Sequence, residues 1–545
     1  MITSHNQRAV VKMWAPSSNK TAFVLAAVII VTLCVSFEPF WDTNDDVAMS
    51  MIAHGYGIAA YSSPYLIFSN VLWGYLVSSL PPINGVLAYS WLTLTMLFIV
   101  AWSMLYFLDK LEAGRFMAMG AVLLIIVRAV CFPQFTVVAG LLTVSAVMGW
   151  IAYAKTSSPH ILLVAMLLGF AGFLIRSQEF LFVLLVALPL LPLRALCRDK
   201  WFLMSMAGLA FCVLAATLVD RQPYKSASWQ AFQEFNPIRV QFTDFGAAGF
   251  LKNRPDLKDR FKYSDNDLDL LANWFFVDST ITDTGKLGEM LKEVGLSARL
   301  ANNHDSHPGL DALASLKEPD LLPLEIALLG LILLASRRWR VAGAIGIFLF
   351  VVFALGLMGR SGVSRIYYPV IALLAVSPLV FGCTRRPSGI TKVTASIILM
   401  FACVIVFANV IPDSFSASAA NKRVQADLAR LKAGENYGSY YIAWAQFFPF
   451  EYAYPLLRAP LDFRFYSLNS FTNAPFSVSF VEDKAGRGLE KQLLSGKPVP
   501  IIATGELYGM LAIWCRERVN RETQIRPIEG LSSFEMSFVT CGKTR

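Results

Sequence analysis

The chain reads as a polytopic α-helical membrane protein, and three observations predict it. Of its 545 residues, 56% are hydrophobic, 13% aromatic and only 16% charged, at a mean hydropathy of +0.53, a balance typical of membrane proteins rather than water-soluble domains. The apolar residues come in runs long enough to cross a hydrocarbon core of ~30 Å. Lysine and arginine gather at alternate ends of those runs, as the cation bias of short cytoplasmic loops requires.

The first run, 21–37, is uncharged and follows Arg8, Lys12 and Lys20. No small-residue cleavage site comes after it, so it reads as a signal anchor that stays in the membrane. Further runs with little or no charge occupy 83–108, 116–132, 135–154, 161–175, 180–193, 201–219, 321–335, 341–358, 366–382 and 393–411. Together they predict about eleven transmembrane helices. The run 65–80 stands apart, because its sixteen residues rise only ~24 Å as a helix and are diluted by Ser69, Asn70, Ser78 and Ser79.

Charge parity decides the place of that run. If 65–80 lies along the outer interface, segments 1–20, 109–115, 155–160, 194–200, 336–340 and 385–392 share the cytoplasmic side, with fifteen Lys and Arg against three Asp and Glu. If it spanned, nearly all those cations would face outward. The sequence therefore predicts a cytoplasmic N-terminus and a membrane domain, 1–411, with a juxtamembrane helix in an outer loop at 39–82 and a larger outer loop at 220–320. Residues 412–545 are left as a C-terminal outer domain. Its helical stretch at 421–433, strand-like runs at 440–444 and 499–504, and helix-like 507–519 point to a small α/β or α+β fold. The formal charge of +9 then follows from topology rather than from a surface built for polyanions, and nucleic acid is not a predicted partner. Cys515 and Cys541 share the outer domain, where a disulfide stays open if that side is oxidising.

Transporters usually carry ionisable groups near mid-bilayer, and these spans hold almost none. The unusual charges stand at outer helix ends instead. Arg128 precedes Phe132-Pro133, Arg176 and Glu179 lie between two short runs, and Arg360 and Arg365 belong to Gly359-Arg-Ser-Gly-Val-Ser-Arg-Ile-Tyr-Tyr-Pro369. Arginine's fork binds phosphate and stays charged when partly desolvated, so the four together read as a site for a lipid phosphate. Each alone also fits snorkelling to headgroups or pairing with Glu179 or a loop carboxylate.

Four residues after the first run comes the acidic stretch Trp41-Asp42-Thr43-Asn44-Asp45-Asp46. Asp45 and Asp46 are the candidate catalytic pair: neighbouring carboxylates repel, so one titrates higher while the other is held by a donor, a cation or a metal. One Asp can also cap the helix starting near Val47; Asp46 suits that role better, and Asn44 equally well. His54, ahead of Gly55-Tyr56-Gly57, is a candidate for lining an acceptor cleft or a solvated interfacial His. His304-Asp305-Ser306-His307 matches a metal set only in residue type and reads as a polar loop. Trp274, Tyr367 and Tyr368 suit stacking on a sugar or isoprenoid, or an interfacial aromatic belt. No cofactor is certain, and a divalent metal stays open.

Several motifs in order resemble the GT-C glycosyltransferases, the superfamily of protein O-mannosyltransferases, aminoarabinose transferases and arabinosyltransferases. They are Asn44-Asp45-Asp46 after the first helix, Ser63-Pro-Tyr-Leu66 with its juxtamembrane helix, Gly172-Phe-Leu-Ile-Arg176, and Arg365-Ile-Tyr-Tyr-Pro369. Asn236-Pro-Ile-Arg239 with Asp244, and Ser264-Asp-Asn-Asp267 with Trp274, resemble a pattern in bacterial members, which makes Tyr56, Asn236, Arg239, Asp244, Asn266 and Asp267 candidate substrate contacts. Asp-Asp stands here for the Asp-Glu of the mannosyltransferases. The resemblance implies a multi-pass protein of the bacterial inner membrane with its large loops and C-terminal domain in the periplasm. Its donor would be a polyprenyl-phosphate-linked sugar, its acceptor a glycan, lipid or protein, its stereochemistry inverting, and its base the first acidic residue, Asp45. A polysaccharide polymerase or O-antigen ligase is the alternative, expected to centre on outer-loop arginines and histidines. A lipid-linked glycan flippase fits less well, for want of a polar path through the bilayer.

Overall fold

A computed structural model describes residues 18–301, 307–335, 337–358, 364–382, 389–433, 440–460 and 463–542. Each apolar run becomes a helix: Ser18–Ser36, Ala88–Lys110, Arg115–Cys131, Phe135–Thr156, Pro159–Ile175, Ser177–Ala187, Lys200–Arg221, Leu322–Ile332, Arg338–Leu357, Ser364–Gly382 and Gly389–Ala433. Seven of these are long and apolar enough to cross a membrane, while Pro159–Ile175, Ser177–Ala187 and Leu322–Ile332 are shorter apolar helices. Length thus supports fewer full spans than the expected eleven, because turns cut several runs short of a bilayer's thickness.

Phe135–Thr156 is the axis of the bundle, with 94% of its most apolar window buried. Small residues let its neighbours approach. A Cβ at Gly140 would lie 2.4 Å from Pro369 of Ser364–Gly382, and one at Gly172 would lie 2.8 Å from the Ala139 carbonyl. Between membrane helices, where apolar burial offers little driving force, such close backbone packing is the main attraction. Lys110, Arg115, Lys155, Arg194, Arg198, Lys200 and Arg338 cluster at one set of helix ends. The opposite ends carry Asp42, Tyr89, Arg128 and Arg365. The juxtamembrane run is a nine-residue helix, Val71–Ser79, started by Asn70, whose side chain accepts from Leu72 N.

The last membrane helix does not stop at its apolar end. Gly389–Ala433 runs for 45 residues through Pro412, which at ~1.5 Å per residue reaches ~67 Å, over twice a hydrocarbon core of ~30 Å. The 411/412 boundary and the stretch 421–433 therefore lie within one continuous helix. It delivers the chain to a five-stranded mixed sheet, β1 Tyr441–Trp444, β2 Phe465–Leu468, β3 Val499–Ile502, β4 Glu522–Pro527 and β5 Met536–Gly542, in the order β2-β1-β3-β5-β4. β1 pairs in parallel with β2 and β3, and β5 runs antiparallel to both β3 and β4. The disulfide left open by the sequence is present: Cys515 of helix Gly505–Val519 is bonded to Cys541 of β5.

Alternation along the strands gives this sheet two buried faces. Tyr441, Ala443, Phe465, Ile502 and Met536 join the core of the membrane bundle. Ile442, Trp444, Tyr466, Leu468 and Ile501 join a second core, with Phe242, Leu268, Phe275 and Leu287 from the 220–320 loop. The large loop and the C-terminal sheet thus share one outer core, and the sheet is clamped between that loop and the bundle. The first outer loop adds to its edge, where Phe465 N donates to Gly57 O at 3.0 Å, Val478 N to Ile58 O at 2.9 Å and Ala60 N to Phe476 O at 2.8 Å.

Candidate active site

The acidic stretch is fastened to the bundle before its carboxylates point anywhere. Phe40 N donates to Cys131 O at 3.0 Å and Asp42 N to Pro133 O at 3.3 Å, and the Trp41 ring is buried against Tyr89, 5.5 Å between centroids. Helix Asn44–His54 then begins with Thr43 at its N-cap and ends at Gly55, whose φ of 71° suits glycine. Adjacent residues on a helix point ~100° apart, so Asp45 and Asp46 go separate ways.

Asp46 turns inward and is completely buried. Its Oδ1 accepts from Tyr89 OH at 3.0 Å and Phe135 N at 2.9 Å, and its Oδ2 from Thr43 Oγ1 at 3.3 Å. It therefore caps Phe135–Thr156 rather than its own helix, correcting the expected self-cap. Burial pushes its carboxyl well above the usual range, with Asp45 adding to the rise and the Tyr89 and Phe135 donors opposing it.

Asp45 faces outward into a cavity of about 370 Å³, and its Oδ2 lies 3.1 Å from Arg365 Nη1. Thr43, Asn44 and Met51 line this cavity from the bundle side, and Trp274, Ala445, Asn469, Ser470 and Phe471 from the outer lobe. Asn44 Oδ1 is buried there without a hydrogen-bond partner among the described residues. Trp274 and Ala445 both sit in the left-handed region, with φ of 67° and 53°. Non-glycine residues hold such conformations at a cost of about 1–3 kcal/mol each, and they concentrate at functional sites. Trp444 Nε1 binds the two segments together by donating to Asn273 O at 2.6 Å.

Two of the expected arginines come together, since Arg128 and Arg365 line one small pocket with Asp42 and Asp320, while Arg176 is not in its lining. Arg365 alone of the described three lines the cavity with Asp45. Arg128 is engaged by Asp42 at 3.0 Å, Asp320 at 2.7 Å and Asp413 at 3.5 Å, and stacks on Phe132. Burial raises the pKa values of Asp42 and Asp320, while Arg128 lowers both. Arg176 lies against the rings of Phe68 and Phe135 and donates to Phe68 O at 3.2 Å. Arg360, like His304, Asp305 and Ser306, falls outside the described residues.

Other candidates have other partners. His54 Nε2 accepts from Tyr89 N at 3.3 Å, and burial draws its pKa down to about 4, which leaves it neutral at physiological pH. Tyr56 donates to Ser50 Oγ at 3.0 Å. Arg239 Nε donates to Asn236 Oδ1 at 3.1 Å, lies 3.9 Å from Asp244 and packs over Trp274, which places this motif behind the cavity wall. Asn266 donates to Met510 O at 3.1 Å, and Asp267 accepts from Arg518 Nε at 3.1 Å while closing a capping box with Ser264. These two tie the large loop to the C-terminal domain, away from the cavity lining. Tyr367 is buried near Phe348, and Tyr368 donates to Ile125 O at 2.8 Å. Asp320, Asp413, Asn469 and Ser470 belong to none of the motifs read from the sequence; Asp413 lies inside helix Gly389–Ala433, and the other three lie in turns. Among the described residues no group of three or more His, Cys, Asp or Glu could hold a metal ion.

No protein-family model matches the chain, and neither does any curated protein. Among solved structures it is similar to the crystal structure of ArnT from Cupriavidus metallidurans bound to undecaprenyl phosphate. The match has 12% identity and a TM-score of 0.34 over 96% of this chain and 99% of that one, too loose a likeness to set fold or activity.

Proposed function

We propose that the chain is an inverting glycosyltransferase moving a sugar from a polyprenyl-phosphate donor to an acceptor on the outer face of a bacterial inner membrane. The observation that carries this reading is the Asp45–Arg365 pair, 3.1 Å apart on a cavity wall at the end of the bundle remote from the cation-rich helix ends. The order of the GT-C-like motifs supports it.

A single displacement needs one carboxylate to take the acceptor hydroxyl's proton as its oxygen attacks the anomeric carbon. The bond from that carbon to the phosphate oxygen breaks, and polyprenyl phosphate leaves without needing a strong acid. Asp45 is the base because its carboxylate reaches the cavity. Arg365 exchanges the Asp45 carboxylate for the donor phosphate, freeing the base and matching the negative charge that develops on the leaving group. Asp46 holds helix Phe135–Thr156 and the Thr43 turn in register behind the base.

The test is sugar transfer by purified protein from a polyprenyl-phosphate sugar to the native acceptor. Asp45→Asn should abolish it, and Asp46→Asn should leave substantial turnover. Full activity of Asp45→Asn would remove the base assignment.

A further inference from the structure

We infer that the outer wall of the cavity is an acceptor subsite for a neutral sugar ring, built by Trp274, Asn469 and Ser470 of the outer lobe. The inference rests on the glycosyltransferase reading only in calling the bound sugar the acceptor.

The wall has the chemistry a sugar needs. Asn469 is held by its own turn, where its Oδ1 accepts from Phe471 N at 2.8 Å and its N donates to Thr472 Oγ1 at 2.8 Å. Its Nδ2 and the Ser470 hydroxyl keep no hydrogen-bond partner among the described residues, and both residues line the cavity. Trp274 contributes an indole whose ring is steadied by Arg239, 5.0 Å from the centroid. A pyranose offers an apolar C–H face for an aromatic ring and hydroxyls for a neutral amide and alcohol. Asp45 and Arg365 are the charged residues among those lining the cavity, both on the bundle side, so this wall selects no charged group. An acyl chain would strand the amide, the hydroxyl and the buried Asn44 Oδ1 without partners, which is unfavourable.

The wall is also preorganised. Trp274 and Ala445 hold positive φ, and the Trp444 to Asn273 hydrogen bond locks their segments together. The volume of about 370 Å³ lies at the small end of the usual range of roughly 300–1,000 Å³ for small-molecule sites. Sugar recognition thus comes from the loop and C-terminal domain, and the reacting groups come from the bundle.

The test uses the full chain in detergent with a panel of methyl glycosides of neutral hexoses, read by saturation-transfer NMR. At least one glycoside should show ring-proton transfer, lost in Trp274→Ala and weakened at least fivefold in both Asn469→Asp and Ser470→Ala. Asn469→Asp keeps the turn's Oδ1 acceptor and replaces the free donor with a charged oxygen, while Ser470→Ala adds no charge and breaks no hydrogen bond among the described residues, so misfolding does not explain their shared effect. No transfer from any glycoside, or equal transfer in the two conservative variants, overturns the subsite. Binding needs no turnover, so the two readings fail separately. Wall-dependent glycoside binding with normal sugar transfer by Asp45→Asn would sink the base assignment and keep the subsite; loss of transfer in Asp45→Asn with wall-independent binding would do the reverse.

Discussion

Two arginines at the same end of the bundle show how surroundings divide one chemistry into two roles. Arg365 pairs with Asp45 on the wall of an open cavity, with Asp42 in the small pocket behind it. Arg128 meets Asp42, Asp320 and Asp413, with 19% of its own side chain exposed. In the proposed mechanism the first guanidinium exchanges its partner for a phosphate, whereas the second closes a junction among three chain segments. The neighbouring aspartates repeat the division. Asp45 keeps a third of its side chain exposed, while Asp46 is fully enclosed by donors.

The sharpest way to break this comparison is the aspartate pair. Loss of a positioned base typically lowers turnover by about 10²–10⁴, so Asp45→Asn should fall by that much in kcat while Asp46→Asn retains most of it. Steady-state transfer assays at saturating donor check this, and equal losses would end the division of roles.

Next in size is the Arg128 junction. Arg128→Ala leaves three carboxylates facing one another and should destabilise by roughly 2 kcal/mol. That is below the ~3–5 kcal/mol of a fully buried broken pair, because the carboxylates remain 25–52% exposed. The deficit has a pH signature. Arg128 lowers the pKa values of Asp42 and Asp320 against the rise from burial. Removing it raises both further, so the variant gains more than the wild type as pH falls and the carboxylates protonate. Unfolding temperatures of both proteins at pH 7 and pH 5 should show the gap narrowing with acidity.

Smaller still is the cavity arginine. Arg365→Ala should raise the apparent donor KM about tenfold, worth ~1.4 kcal/mol, since a charge-assisted phosphate contact is lost. An unchanged donor KM argues against phosphate at this position. The smallest effect belongs to the enclosed carboxylate. Burial raises the Asp46 pKa against the pull of its donors, and in the Asn variant the Oδ1 atom can still accept from Tyr89 and Phe135. Asp46→Asn should shift stability by less than ~1 kcal/mol, measured as the change in unfolding temperature.

Much of the bundle could be read in the sequence because apolar length and cation placement are local quantities. Both survive whatever the helices later touch. The runs at 83–108, 135–154, 201–219 and 341–358 became the long helices Ala88–Lys110, Phe135–Thr156, Lys200–Arg221 and Arg338–Leu357 for that reason. The strand-like runs 440–444 and 499–504 became β1 and β3 on the strength of β-branched and aromatic residues. The arginine set was less legible. Position at an outer helix end does not reveal that Asp320 and Asp413, hundreds of residues away, occupy Arg128. Nor could spacing show that Asn266 and Asp267 bind helix Gly505–Val519.

By itself, the sequence determined that this chain is built on apolar helices, that its cations favour one side, and that paired carboxylates follow the first helix. Only the tertiary structure decided which carboxylate faces the cavity, which arginine joins it, and that loop and C-terminal sheet form the opposite wall. The physical reason is that hydropathy adds along the chain, whereas hydrogen-bond satisfaction and charge pairing depend on groups brought close by packing. Asp45 and Asp46 are identical residues in sequence, and the side chains that surround them leave one facing the cavity and make the other a cap.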